Sequence, residues 1–199
     1  MNFSEYVIGK ALYNRWANEK ILEAVATLHP AQRDEPLVPG LDSIYAVLNH
    51  VLVVDRIWVA EVGGSEFDTP TTRTLLHADW DAYLADRRRT DARMLELVSG
   101  FDEAELTGTL YFDEEIHSDL REWPFASEID HIFRHQAHHR GQVVLLLEAT
   151  PVGRLKIDGL FVPPGPRLDA PGAAVVGSAE AMAAAAAAGT TAATARSGA

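Results

Sequence analysis

Apolar residues recur at intervals of three and four through four long stretches of the chain, and residues that start and stop helices bound most of them. From Phe3 to Leu28 the stripe runs through Ile8, Ala11, Arg15, Asn18, Leu22 and Val25, with Leu12 and Trp16 widening it. Pro30, Pro36, Pro39 and Gly40 mark a loop. Asp42 or Ser43 is placed to cap a second helix that reaches Val62 and stops at Gly63-Gly64, with Ile44, Val47, Leu48, Val51, Val54 and Trp58 facing inward. A third helix is predicted from Leu75 to Val98, ending at Gly100. Residues 107–120 depart from this period. Thr107, Thr109, Tyr111 and Phe112 favour extended structure around Gly108, which predicts a hairpin or an extended crossover. Pro124 then suits the first turn of a fourth helix that continues to Glu148.

Four long helices with little sheet predict an all-α fold, a four-helix bundle whose third and fourth helices are joined by a long crossover or a short hairpin. The folded domain is expected over residues 1–166, with a short extended piece at Leu155 to Val162 before Pro163-Pro164-Gly165-Pro166 closes it. Residues 167–199 are dominated by Ala, Gly, Ser and Thr. Ala179 to Ala188 has high helix propensity but only Met182 to bury, so this segment is expected to be a mobile, non-catalytic tail.

Composition narrows the function. The chain has 199 residues, 47% hydrophobic and 23% charged, which is ordinary for a soluble domain with room for a sizeable core. Its 17 Lys and Arg face 29 Asp and Glu, and the net charge of −12 argues against a nucleic-acid partner, which needs a basic surface. Arg87-Arg88-Arg89, flanked by Asp86 and Asp91, reads as a solvated helix face in preference to an anion clamp. There are no cysteines, so any metal must be held by His, Asp, Glu or water, and any thiol in a reaction must arrive on a small molecule. No stretch is long and apolar enough to span a membrane, and Met1 to Tyr6 lacks the pattern of a signal peptide. The expected compartment is the cytoplasm.

The chemistry concentrates in the fourth helix. Asp130 to Gln142 holds His131, His135, His138 and His139, four of the eight histidines. His135 and His139 are four apart and stack on one helical face, a spacing at which two imidazoles can share a metal ion. His50 lies on the apolar stripe of the second helix, among Val47, Val54 and Ile57, and is expected to point inward. Each histidine alone reads as a core residue with a hydrogen-bonded tip. Three together are harder to satisfy that way, and one divalent cation would satisfy all three. Both readings stand on spacing alone.

These residues also carry a resemblance. Tyr13-Asn-Arg-Trp-Ala-Asn18, His50 with Trp58, His135-Gln-Ala-His-His-Arg-Gly-Gln142 and the Leu-Phe-Val-Pro-Pro segment ending at Pro164 resemble the DinB superfamily, which includes YfiT-like proteins. The resemblance covers residues 3–166 and implies a four-helix bundle, often a homodimer, with one divalent metal in a three-histidine site. It carries the ligand role onto His50, His135 and His139. Some relatives transfer low-molecular-weight thiols such as bacillithiol or mycothiol, or are maleylpyruvate isomerases that depend on one, and many members have no established reaction.

The expectation is therefore a cytoplasmic, metal-dependent enzyme holding Zn²⁺ or Ni²⁺ on His50, His135 and His139. It would activate water or a small-molecule thiol for attack on an electrophilic small substrate, as a thiol transferase or a hydrolase does. His131, Gln142 and Asn18 are expected to support the ligands by hydrogen bonds, while Arg140 suits a structural salt bridge and Trp16 and Trp58 suit the core. Glu128-Ile-Asp-His131 and Glu114-Glu-Ile-His117 match half of a di-iron pattern, but partner glutamates on the other helices are lacking. A non-catalytic metal-binding or sensor domain of the same fold is the alternative. A closed structural site would need a fourth ligand, and Asp55, about 140° around the helix from His50, is badly placed to supply it.

Overall fold

The computed structural model describes residues 2–67, 71–111 and 122–158. They are mostly helical, with one small two-stranded sheet. The elements run α1 (Phe3–Val25), α2 (Pro30–Asp34), α3 (Ile44–Gly63), α4 (Trp80–Gly100), α5 (Glu103–Leu106), β1 (Thr109–Tyr111), β2 (Glu122–Pro124) and α6 (Phe125–Leu147). No helix among the described residues is long and apolar enough to cross a membrane.

Local chemistry sets the helix ends. Asn2 and Glu5 form a reciprocal capping box on α1, each side chain accepting from the other's backbone N–H at 2.8 and 3.0 Å. Ser43, one of the two expected caps, accepts from Ala46 N–H at 3.0 Å to begin α3, and Gly64 ends it in the left-handed conformation at φ 66°. Pro30 opens a five-residue helix in the stretch expected to be loop, because His29 caps it and proline's missing N–H costs nothing at a helix start.

The third long helix begins later than Leu75. Asn49 and Tyr45 of α3 bind the backbone at Thr74, Leu76 and His77, which holds that segment extended until Asp79 caps α4 through Ala82 N–H at 2.8 Å. The predicted extended region resolves into α5 followed by β1 and β2, paired antiparallel with Thr109 opposite Pro124 and Tyr111 opposite Glu122. Residues 112–121, including the second Glu-x-x-His, lie outside the described residues. Pro124 caps α6 and does not enter its first turn. Residues 155–158 form no regular element, and residues 159–199, with the expected tail, lie outside the described residues.

Helix α1 packs against α4 and α6, and α3 packs against the same two. The inward face of α1 is rotated from the predicted stripe: Val7, Ala11, Asn14, Ala17, Asn18, Ile21, Leu22 and Val25 are buried, and Arg15 is exposed. Two hydrophobic clusters fill the interior. One gathers Ile21, Leu22, Ile44, Leu48, Leu52, Tyr83, Val143 and Leu147. The other gathers Val7, Ala11, Trp58, Met94, Ile129, Ile132 and Phe133.

Between them on every long helix lies a buried polar residue or pair: Asn14 and Asn18 on α1, Asp55 on α3, Arg87 and Asp91 on α4, Gln136 and Arg140 on α6. Arg87, expected in solvent, is only 2% exposed and pairs with Asp55 at 2.5 Å and Asp91 at 2.7 Å. Gln136 donates its amide N–H to Asp55. Asn18 donates to Asp91 at 3.0 Å, and Arg140 donates to Asn14 and, at 3.2 Å each, to Asn18 and Gln136.

The two guanidiniums formally balance the two carboxylates. Burial still pushes the Asp55 carboxyl up to about 6, against the pull of Arg87. Removing one partner strands the others without water. Arg87→Ala is expected to lower unfolding stability in urea by about 3–5 kcal/mol, whereas Arg88→Ala, which breaks only an exposed pair with Glu19, should cost less than about 1 kcal/mol. Equal losses would show that the layer has no special weight.

Candidate metal centre

One residue further round from the polar layer, α6 presents His135 beside Gln136 and His139 beside Arg140. Helix α3 presents His50 opposite them. One ligand nitrogen from each of these histidines lies within 4.8 Å of the other two. The ring centroids are 5.2 Å apart for His50 and His135, 4.6 Å for His50 and His139, and 4.4 Å for His135 and His139. All three are half-buried. His50 and His139 line a cleft, where the sequence had suggested the centre of the helices; the centre belongs to the polar layer.

Hydrogen bonds fix which nitrogen faces the cluster. A carbonyl can only accept, so His50 Nδ1–H donates to Thr72 O at 3.0 Å and leaves Nε2 as an acceptor turned toward His135. His139 Nδ1–H donates to Gln142 Oε1 at 2.7 Å, which likewise leaves its Nε2 as an acceptor, and Gln142 in turn donates to His138 Nε2 at 3.2 Å. His50 Nε2 stands 3.2 Å from His135 Nε2. Two nitrogens sharing a tetrahedral Zn²⁺ at about 2.0–2.1 Å each would lie about 3.3 Å apart.

The electrostatics favour neutral ligands. Burial, then the neighbouring imidazoles led by His139 and His50, holds the His135 pKa down to about 4. Burial, joined by His50 and His138, outweighs the Gln142 hydrogen bond and keeps His139 below the ordinary histidine value. Both rings therefore offer lone pairs at neutral pH, which suits a divalent cation. Among the described residues the His135 Nδ1 is buried without a hydrogen-bond partner.

The remaining candidates fall differently. Gln142 is where the sequence placed it, against His139. His131 is exposed, its ring 6.2 Å from that of His135, and among the described residues it makes no hydrogen bond. Among the described residues Asn18 makes no hydrogen bond to an imidazole, because its amide is taken by Asp91, Gln136 and Arg140. Arg140 forms hydrogen bonds to amide side chains in place of the expected salt bridge. Trp58 is buried in the core and Trp16 is half-buried. Asp55 is turned to Arg87 and offers no ligand.

A cleft of about 430 Å³ opens onto His50 and His139, lined also by Asp42, Asn49, Arg73, Leu75 and Gln142. The contribution of residues 72–75 was missed, since a loop follows no period that could assign it to the cleft. The inward polar Asn49, next to His50, was the available signal.

The helical framework and its three convergent imidazoles define a class of protein that can hold one divalent cation between two helices. The DinB family model matches residues 5–163, and the chain belongs to the DinB family. No curated protein and no solved structure matches it.

Substitutions separate ligand from neighbour. His139→Ala should abolish binding of one equivalent of Zn²⁺ in competition with a chromophoric chelator, and His138→Ala should retain it. Gln142→Ala should weaken affinity by about 10–100-fold through loss of the orienting hydrogen bond. Equal losses at His138 and His139 would refute the ligand assignment.

Proposed function

We propose that this DinB-family chain is a metal-dependent enzyme built on a four-helix bundle, with a divalent cation, Zn²⁺ or Ni²⁺, held by His50, His135 and His139. The observation that carries this reading is the orientation of two of the three imidazoles: carbonyl oxygens hold the Nδ1–H of His50 and His139, and their Nε2 atoms converge with that of His135. Three protein ligands leave a coordination position for a reactant, and the cleft against His50 and His139 gives a small molecule access to it.

Bound there, the cation supplies charge that lowers the pKa of a water or thiol sharing its site, and three neutral imidazoles leave that charge uncancelled. The chain's own groups do the positioning. Thr72 and Gln142 fix the rings of His50 and His139, and the Gln136 and Arg140 contacts fix the rotation of the helix that bears His135 and His139. The substrate is a small electrophile, and the nucleophile is water or a small-molecule thiol, because the chain contains no cysteine. Metal identity follows supply as much as affinity, since a three-histidine site accepts several late first-row ions.

Proton release tests the reading. Free thiols titrate near 8.5 and are mostly protonated at pH 7, so binding a simple thiol to the metal-loaded chain should release about one proton, measured calorimetrically in buffers of different ionisation enthalpy. The metal-free chain and His139→Ala should release none. A loaded chain that binds thiols without proton release and hydrolyses no activated ester would contradict the proposal.

A further inference from the structure

The loop between α3 and α4 is sewn to α3 at the turn that bears His50. Asn49 donates to Thr74 O at 2.7 Å and accepts from Leu76 N–H at 3.0 Å. His50 donates to Thr72 O at 3.0 Å, and Tyr45 OH donates to His77 O at 2.5 Å. The Arg73 N–H is itself turned back onto Thr71 Oγ1 at 3.2 Å. Backbone contacts on both sides thus hold Arg73 in place, and its side chain lines the same cleft as His50 and His139.

Among the exposed arginines, Arg88, Arg89, Arg93 and Arg134 each meet a carboxylate within 3.3 Å. Arg15 and Arg73 are exposed without such a pair among the described residues, and of these two it is Arg73 that lines the cleft. Among the described residues Arg73 makes no ion pair and no side-chain hydrogen bond, although the net charge is −12 and Asp42 lines the same cleft. A mobile surface arginine would mean little. A guanidinium whose backbone is held, which makes no ion pair among the described residues and which lines the cleft of His50 and His139, is placed to receive a planar anion.

We infer that Arg73 receives the carboxylate of the substrate, and that the substrate class is small organic monocarboxylates whose other end reaches the three imidazoles. The cleft of about 430 Å³ limits the molecule to small size. Asp42 in the same cleft disfavours a second negative charge. This inference rests on the reading of His50, His135 and His139 as an open metal site.

The test is calorimetric titration of the zinc-loaded full chain with thiol-terminated carboxylates of increasing chain length, each beside its uncharged carboxamide. The best-fitting acid should bind at least about ten-fold more tightly than its amide, the scale of one charge-assisted hydrogen bond. Arg73→Gln should bring the two within about two-fold, and Arg73→Lys should restore part of the difference, with zinc content unchanged in both. Equal affinities of acids and amides in the wild type, or a preference that survives Arg73→Gln, would overturn the role of Arg73 while leaving the metal site standing. Failure of acids and amides alike to bind would overturn the open site, and this inference with it.

Discussion

The buried polar layer of Asn14, Asn18, Asp55, Arg87, Asp91, Gln136 and Arg140 is the constraint on which the rest depends. Hydrophobic contacts do not by themselves fix the sliding of one helix along another, because one apolar side chain replaces its neighbour at modest cost. A buried carboxylate or guanidinium allows no such exchange, since a slip by one turn leaves it unpaired in a dry interior. Here all four long helices contribute to one layer, with an apolar cluster on each side of it. The axial position and rotation of α6 follow from Gln136 on Asp55 and Arg140 on Asn14 and Asn18.

That rotation aims the candidate site. His135 and His139 each precede a layer residue by one position, so fixing Gln136 and Arg140 inward turns the imidazoles about 100° toward α3. His50, five residues before Asp55, is set by the same layer through α3. The resulting trio is half-buried. Burial holds His135 below the ordinary histidine value, and a cleft opens beside His50 and His139. A site at the centre of the helices would have been dry but sealed. The loop after α3 completes the arrangement, because its hydrogen bonds to Asn49 and His50 orient the His50 ring and hold the backbone on both sides of Arg73.

Much of this was legible in the chain. The four long helices followed from apolar periodicity and from caps such as Ser43 and Gly64, and the metal candidates from the four-residue spacing of His135 and His139 with an inward His50. What escaped was set by tertiary contacts. The start of α4 depends on side chains of α3 that hold Thr74 to His77 extended, overriding the local helical pattern of Leu75 and Leu76. Arg87 looked like one member of a solvated basic run, and only the opposing Asp55 and Asp91 explain its burial. Asn18 was correctly placed on the inward face but was assigned the wrong partner, because a buried amide gives no hint of which polar group on another helix will meet it.

The central claim is that the three imidazoles hold one metal ion, and elemental analysis of protein purified without a polyhistidine tag addresses it directly. The account predicts about one divalent metal per chain in the wild type and its loss in both His50→Ala and His135→Ala, since a three-ligand site stripped to two binds weakly. A wild-type chain that carries no metal, even after reconstitution with Zn²⁺ or Ni²⁺, would contradict it.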